Sequence, residues 1–235
     1  LRRAVAAPHN HAVLRCLLPI IVLLLSCPAP ADNTSDRAIE RTQQLIDEIR
    51  TASFPELKGV VIKVELLHSN SDYFRTRFAI PQLLGGRMVY LLRVRPDVFT
   101  LSASEAGVRA IIAHELSHIL WFRRRNRLRL LGLIRLASAD FTARFERWTD
   151  LQAIARRYGD GLKEYRTWLY QHIPPQKLKE KQRNYFSPAE IEAIQARTRN
   201  HPELFAAWFR KVPLNLNQIL SQPPSGENAH GTNQQ

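Results

Sequence analysis

The pentapeptide His114-Glu115-Leu116-Ser117-His118 constrains this chain more than any other stretch. It lies in an apolar segment where Val108, Ile111, Ile112, Leu116 and Ile119 recur at helical spacing. Ser102-Ala103-Ser104-Glu105 upstream reads as a capping box, with Ser102 and Glu105 satisfying free amides of the first turn. Helical residues four apart share a face, so His114 and His118 can reach one metal ion. Zinc takes imidazole nitrogens at about 2.0–2.1 Å in a tetrahedral set. Glu115, one step round the helix, can hold and deprotonate a metal-bound water without itself ligating. The competing reading is a surface helix with a histidine pair and an incidental glutamate.

A catalytic zinc needs a third protein ligand and one open position. Beyond residue 31 the other histidines are His68, His172, His201 and His230, and none falls at the HExxHxxGxxH spacing, where Arg124 stands instead. A carboxylate is the other option. Phe145-Glu146-Arg147-Trp148-Thr149-Asp150 sets Glu146 and Asp150 four apart, on a helix expected from about Asp140 to Tyr158 and stopped by Gly159. Glu146 can bind the metal while Asp150 accepts the other ring N–H of a ligating histidine, fixing its tautomer. The two acids also fit a solvated pair balanced by Arg144 and Arg147.

HExxH followed on a later helix by ExxxD resembles the gluzincin metallopeptidases, among them the thermolysin-like and the membrane-associated prenyl-protein endopeptidases. The likeness covers Val108 to Ala155. It implies a zincin-like fold, one zinc per chain held by His114, His118 and Glu146, Glu115 as general base, and Asp150 orienting His114. It implies a peptide or protein substrate, bound as an extended segment along an antiparallel edge strand, for which Arg87 to Val94 is the candidate. It also implies an oxyanion-stabilising His or Tyr, for which His172, Tyr158, Tyr165, Tyr170 and Tyr185 are open candidates.

The remaining elements predict an α+β domain, with a small, mainly antiparallel sheet followed by a helical half. Asp36–Thr51 repeats at helical spacing behind Ser35 as N-cap. Val60–Leu66, Tyr73–Ile80 and Met88–Val94 alternate as strands. Gly85-Gly86 signals a hairpin between the last two, and Pro81 makes the middle strand an edge or a broken one. Further helices are expected over Leu162–Gln171, after the capping box Ser187-Pro188-Ala189-Glu190, and from His201-Pro202 through Phe209. In the basic run Lys177–Arg183 the charges are expected to be solvated, and the flanking Trp168, Tyr170, Tyr185 and Phe186 to anchor the core.

With 45% hydrophobic and 23% charged residues, the composition fits a folded globular chain and excludes a disordered or collagen-like one. Residues 1–31 hold Arg2, Arg3 and Arg15, no acid, the apolar run Leu17–Leu25 and Ala29-Pro30-Ala31. That is the layout of a signal peptide, and Leu24-Leu25-Ser26-Cys27 also resembles a lipobox. The expected location is therefore exported: periplasm, envelope lipoprotein or secreted. The expected domain is 32–212, followed by a polar, disordered tail over 213–235.

The formal charge is +13, and residues 32–235 carry +10 of it because the first 31 hold three arginines and no acid. The basic stretch Arg123–Leu136 interleaves arginines with leucines and suits peripheral contact with an anionic membrane, or a loop that packs its leucines and solvates its arginines. No nucleic-acid motif is present, and no such partner is expected. The alternative to a peptidase is a non-catalytic envelope protein of the same fold that binds a peptide, a partner or an anionic surface.

Overall fold

A computed structural model describes residues 33–79, 85–125 and 138–223. Its elements in chain order are α1 (Asn33–Ser53), a short 3-10 turn (Pro55–Leu57), β1 (Val61–Leu66), β2 (Phe74–Phe78), β3 (Val89–Val94), α2 (Asp97–Thr100) and α3 (Glu105–Arg123). Then follow α4 (Ala139–Ala155), α5 (Gly159–His172), α6 (Pro175–Asn184), α7 (Pro188–Asn200), α8 (Leu204–Arg210) and α9 (Leu216–Ser221). The class is α+β and mostly helical.

The sheet is mixed rather than mainly antiparallel. Its order is β1-β3-β2, with β3 antiparallel to β2 and parallel to β1. Side-chain alternation is the same for either strand direction, so the sequence pattern does not separate the two. The chain leaves β1, passes beyond the future position of β3 to lay down β2, and returns between them. Leu67 N donates to Val94 O at 2.8 Å and Arg95 N to Tyr73 O at 2.8 Å, which ties both ends of that crossover to the end of β3. β2 is thus an edge strand, as Pro81 suggests, although Pro81 itself lies outside the described residues. The expected edge strand Arg87–Val94 is instead the central one.

Ile62, Tyr90, Leu92, Val94 and Phe74 share the buried face of the sheet. Against it pack α1, on the β1 side, and α3, on the β2 side. α3 is surrounded by β2, α1, α4 and α5, and its Ala110, Ile112, Ala113, Leu116 and Ile119 are completely buried. A helix buried on nearly every side belongs in the middle of a domain. Each such Leu or Ile contributes about 1.5–3 kcal/mol by leaving water, so packing fixes the metal-motif helix in place.

α5 crosses α3 at Gly161, where an added Cβ would strike the carbonyl oxygen of Ala106. Only the absence of a side chain allows this approach.

The N-cap of α3 is Ser104, not Ser102. Ser104 Oγ accepts from Gly107 N at 3.0 Å and donates to Glu164 at 2.6 Å. Ser102 sits outside the helix at φ 57°, and Glu105 pairs with Arg41 at 2.9 Å rather than closing a box. The second box is present as expected: Ser187 N donates to Glu190 and Glu190 N to Ser187 Oγ.

The folded region also extends beyond residue 212. Asn215 caps α9, Ile219 is fully buried, and Arg197 donates to the carbonyls of Ile219, Leu220 and Gln222. The run Lys177–Arg183 forms α6, and its Lys181 is not solvated: it pairs with Asp72. Among the described residues no helix is long and apolar enough to cross a membrane. Residues 1–32 and 126–137, which carry the leader-like run and most of the basic stretch, lie outside them.

Candidate metal centre

Three elements converge on one point. α3 contributes His114, Glu115 and His118, which are 1%, 4% and 7% exposed, so an imidazole pair and a carboxylate are held inside the protein. α4 contributes Glu146 and Asp150, and the α6–α7 turn contributes Tyr185 and the amide of Phe186.

His114 Nε2 and His118 Nε2 are 3.1 Å apart. Glu146 Oε2 is 3.2 Å from each of them. Donors at about 2.0–2.1 Å from a tetrahedral zinc stand about 3.3 Å apart, so this triangle has nearly the size that the ion requires. His114, Glu115 and His118 also bring ligand atoms within 4.8 Å of one another, but the triangle with Glu146 is tighter. Glu146 thus completes the more compact set of donor atoms.

The hydrogen bonds fit the same conclusion. His114 Nδ1 lies 2.7 Å from Asp150 Oδ1. With its proton on that nitrogen, His114 turns an Nε2 lone pair toward Glu146 and His118. A lone pair facing a carboxylate oxygen needs a proton or a metal between them, which an N–H of His118, protonation of His114 or a bound ion can supply. The site accordingly favours positive charge. Burial opposes protonation of His114, yet Asp150 and Glu146 raise its pKa to about 9. Burial pushes Glu146 up, and the two imidazoles outweigh it and hold the carboxyl well below its usual range. Asp150 is likewise pushed up by burial and held low by Arg166 and His114.

Two buried polar atoms at the centre have no hydrogen-bond partner among the described residues: Glu115 Oε2 and His118 Nδ1. An unsatisfied buried carboxylate oxygen is costly unless a bound group completes it. The donor set, the triangle and this orphaned oxygen all fit a zinc site with Glu115 beside it.

The cleft outside the triangle has a volume of about 280 Å³ and is lined in part by Phe74, Thr76, Phe145, Lys181 and Tyr185. Thr76 of the edge strand donates to the carbonyl oxygen of Glu115 at 3.3 Å, which joins β2 to the motif helix. Asp72 pairs with both Lys181 and Arg75 at the cleft wall.

Of the five aromatic and histidine candidates for the oxyanion, Tyr185 is the one that lines the cleft. Its ring is 5.8 Å from that of His114. Tyr158 bonds to Ser53 elsewhere, and His172 stacks on Trp168. Tyr165 lines only a small inner cavity, and the buried Tyr170 hydroxyl does not line the cleft.

Sequence reasoning missed Arg166. It is 1% exposed, donates Nη2 to Asp150 Oδ1 at 2.9 Å, and lies 4.2 Å over the Tyr185 ring. A signal existed: Leu162, Tyr165 and Leu169 define the buried face of α5, and Arg166 falls on it, so it needs a buried acid.

No family model, curated protein or solved structure matches this chain.

Proposed function

We propose that this chain is a zinc-dependent peptidase of the gluzincin type. The observation that carries the reading is the closed triangle of His114, His118 and Glu146 donors, with the unpartnered Glu115 oxygen beside it. Bound there, zinc would polarise the scissile carbonyl and bring the pKa of a water towards about 7.

The chain's own residues do the rest. Glu115 takes a proton from the attacking water and passes it to the leaving amine. Asp150 Oδ1 holds the His114 Nδ1 proton, which keeps Nε2 free as a donor to the metal. Arg166 supplies the charge opposite Asp150 and seats the Tyr185 ring. The Tyr185 hydroxyl, which burial and the nearby Glu146 keep protonated, is available to donate to the developing oxyanion. The outer edge of β2 offers backbone groups to an extended peptide. An exported location belongs to the same proposal and rests on the sequence of residues 1–31.

Metal analysis of the purified chain tests the site, with an expected content of one zinc per chain. A folded chain that stays metal-free in micromolar zinc overturns the reading. A peptide-library assay tests the reaction. Glu115→Gln is expected to keep zinc and to lose about 10²–10⁴-fold in turnover. Equal turnover by the variant would remove Glu115 from the mechanism.

A further inference from the structure

A second cavity, of about 500 Å³, opens where the start of the sheet meets the last turn of α3. Its rim carries Lys58, Arg87, Arg123 and Arg125, and no acid lines it among the described residues. Lys58, Arg87 and Arg123 are exposed. Its floor is apolar, made by Val60, Val61, Met88 and Phe122.

The geometry of the rim is built rather than incidental. Arg87 donates Nη2 to the carbonyl oxygen of Gly59, a residue at φ 74°, which draws the 58–60 turn toward the start of β3. The Arg125 guanidinium lies over the Trp121 ring and donates to Trp121 O at 3.1 Å. The basic character continues onto the solvent face of the sheet. There Lys63, Leu91 and Arg77 stand in one row across the three strands, and both cations are exposed.

A cationic rim over an apolar floor matches a ligand with a charged head and a hydrocarbon body. A bare anion gains nothing from Met88 and Phe122. The volume lies within the usual range of small-molecule sites, about 300–1,000 Å³. The chain that follows the rim in sequence carries Arg127, Arg129 and Arg135 among leucines, a composition suited to an anionic lipid surface. We propose that this cavity receives an anionic phospholipid of a bilayer surface, its phosphate on the arginine–lysine rim and the first methylenes on the floor.

Phe122 lines both this cavity and the metal cleft, and its ring is 6.3 Å from that of His118. A lipid seated here would hold the cleft near the membrane. The inference does not depend on the metal centre or on catalysis.

The test is co-sedimentation of the full chain with phosphatidylcholine vesicles, with and without phosphatidylglycerol. Binding is expected only with the anionic lipid, and it should be lost at about 1 M salt, where the Debye length is about 3 Å. Each cation near an anionic surface is worth about a five-fold change in partition. Lys58→Gln with Arg87→Gln is therefore expected to weaken binding about 25-fold. Arg210→Gln with Lys211→Gln, an equal charge change on the exposed end of α8, should change it less than about two-fold. Zinc content should be the same in all three proteins.

Arg123→Gln, with an expected loss of about five-fold, is the independent variant should loss of the Arg87–Gly59 bond unsettle the turn. Soluble short-chain phosphatidylglycerol should compete, and inorganic phosphate at the same concentration should not. Four results overturn the proposal: equal binding to neutral vesicles; equal loss in the rim and control variants; competition by phosphate as strong as by lipid; or binding of a nucleic acid with indifference to vesicles.

Discussion

Helix α4 takes part in two buried ion pairs of equal length. Arg147 Nη1 lies 2.9 Å from Glu190 Oε1, and Arg166 Nη2 lies 2.9 Å from Asp150 Oδ1. Side-chain exposure is 3% and 9% in the first pair and 2% and 0% in the second, so burial does not tell them apart. Their remaining partners do. Arg147 also donates to the carbonyls of Gln182 and Arg183, and Glu190 closes the cap of α7. That pair fastens α4 to α6 and α7. Asp150 also accepts from Phe186 N, and meets a histidine whose far nitrogen faces two more ligand-type atoms. A buried ion pair is weak evidence for anything by itself. Its third and fourth hydrogen bonds decide what it is for.

Asp150→Asn should separate the two regions most strongly. It leaves Arg166 buried without its counter-charge and His114 Nδ1 without a carboxylate. The expected cost is about 3–5 kcal/mol in urea unfolding, and zinc affinity should fall about 10–100-fold in a chelator competition. Arg147→Met is the matched break on the other side. It should cost about 3 kcal/mol and leave zinc affinity within about two-fold. If both variants lose zinc equally, the distinction between structural and metal-orienting pairs is wrong.

A smaller effect is expected at the cleft wall. Burial pushes the Asp72 carboxyl up, but Lys181 and Arg75 outweigh it and hold it below its usual value of 3.8. Folding therefore favours the charged form. The stabilisation is complete above that usual value and is lost as pH falls through the lowered one. Asp72→Asn should cost about 1–3 kcal/mol near neutrality, and the gap to the parent should close in acid. A gap that stays constant with pH would mean that Asp72 acts through packing alone.

The smallest expected effect concerns the two serines before α3. Ser104→Ala should cost about 1 kcal/mol, the worth of an N-cap. Ser102→Gly should cost nothing, or stabilise slightly, because Ser102 already holds a left-handed backbone. The reverse order would restore the cap to Ser102.

These cases also mark what the sequence makes legible. Helical period alone puts His114 with His118, and Glu146 with Asp150, each pair on one face, and the structure brings the two faces together. Alternation finds the three strands but is blind to the direction of β1 against β3. Helical period puts Arg166 on the buried face of α5, but its partner Asp150 is 16 residues away on another helix, so local pattern does not reveal the pairing. α9 is hidden by a polar composition in which Ile219 is the one completely buried side chain. Ser102 and Ser104 both satisfy a capping rule, and only backbone conformation chooses between them.

The glycine crossing of α5 over α3 has a mechanical consequence. With Gly161 against the Ala106 carbonyl, those two helices have no slack left between them. Around α3 the cleft is closed by α4, β2 and α6; Asp72, just before β2, pairs with Lys181 of α6, and Thr76 of β2 bonds to the Glu115 carbonyl. α3 is the fixed post, and β2 is held to the core by Phe74 as well as to α3 by the Thr76 bond. Any widening of the cleft comes from the elements that face α3, while the histidines keep their station.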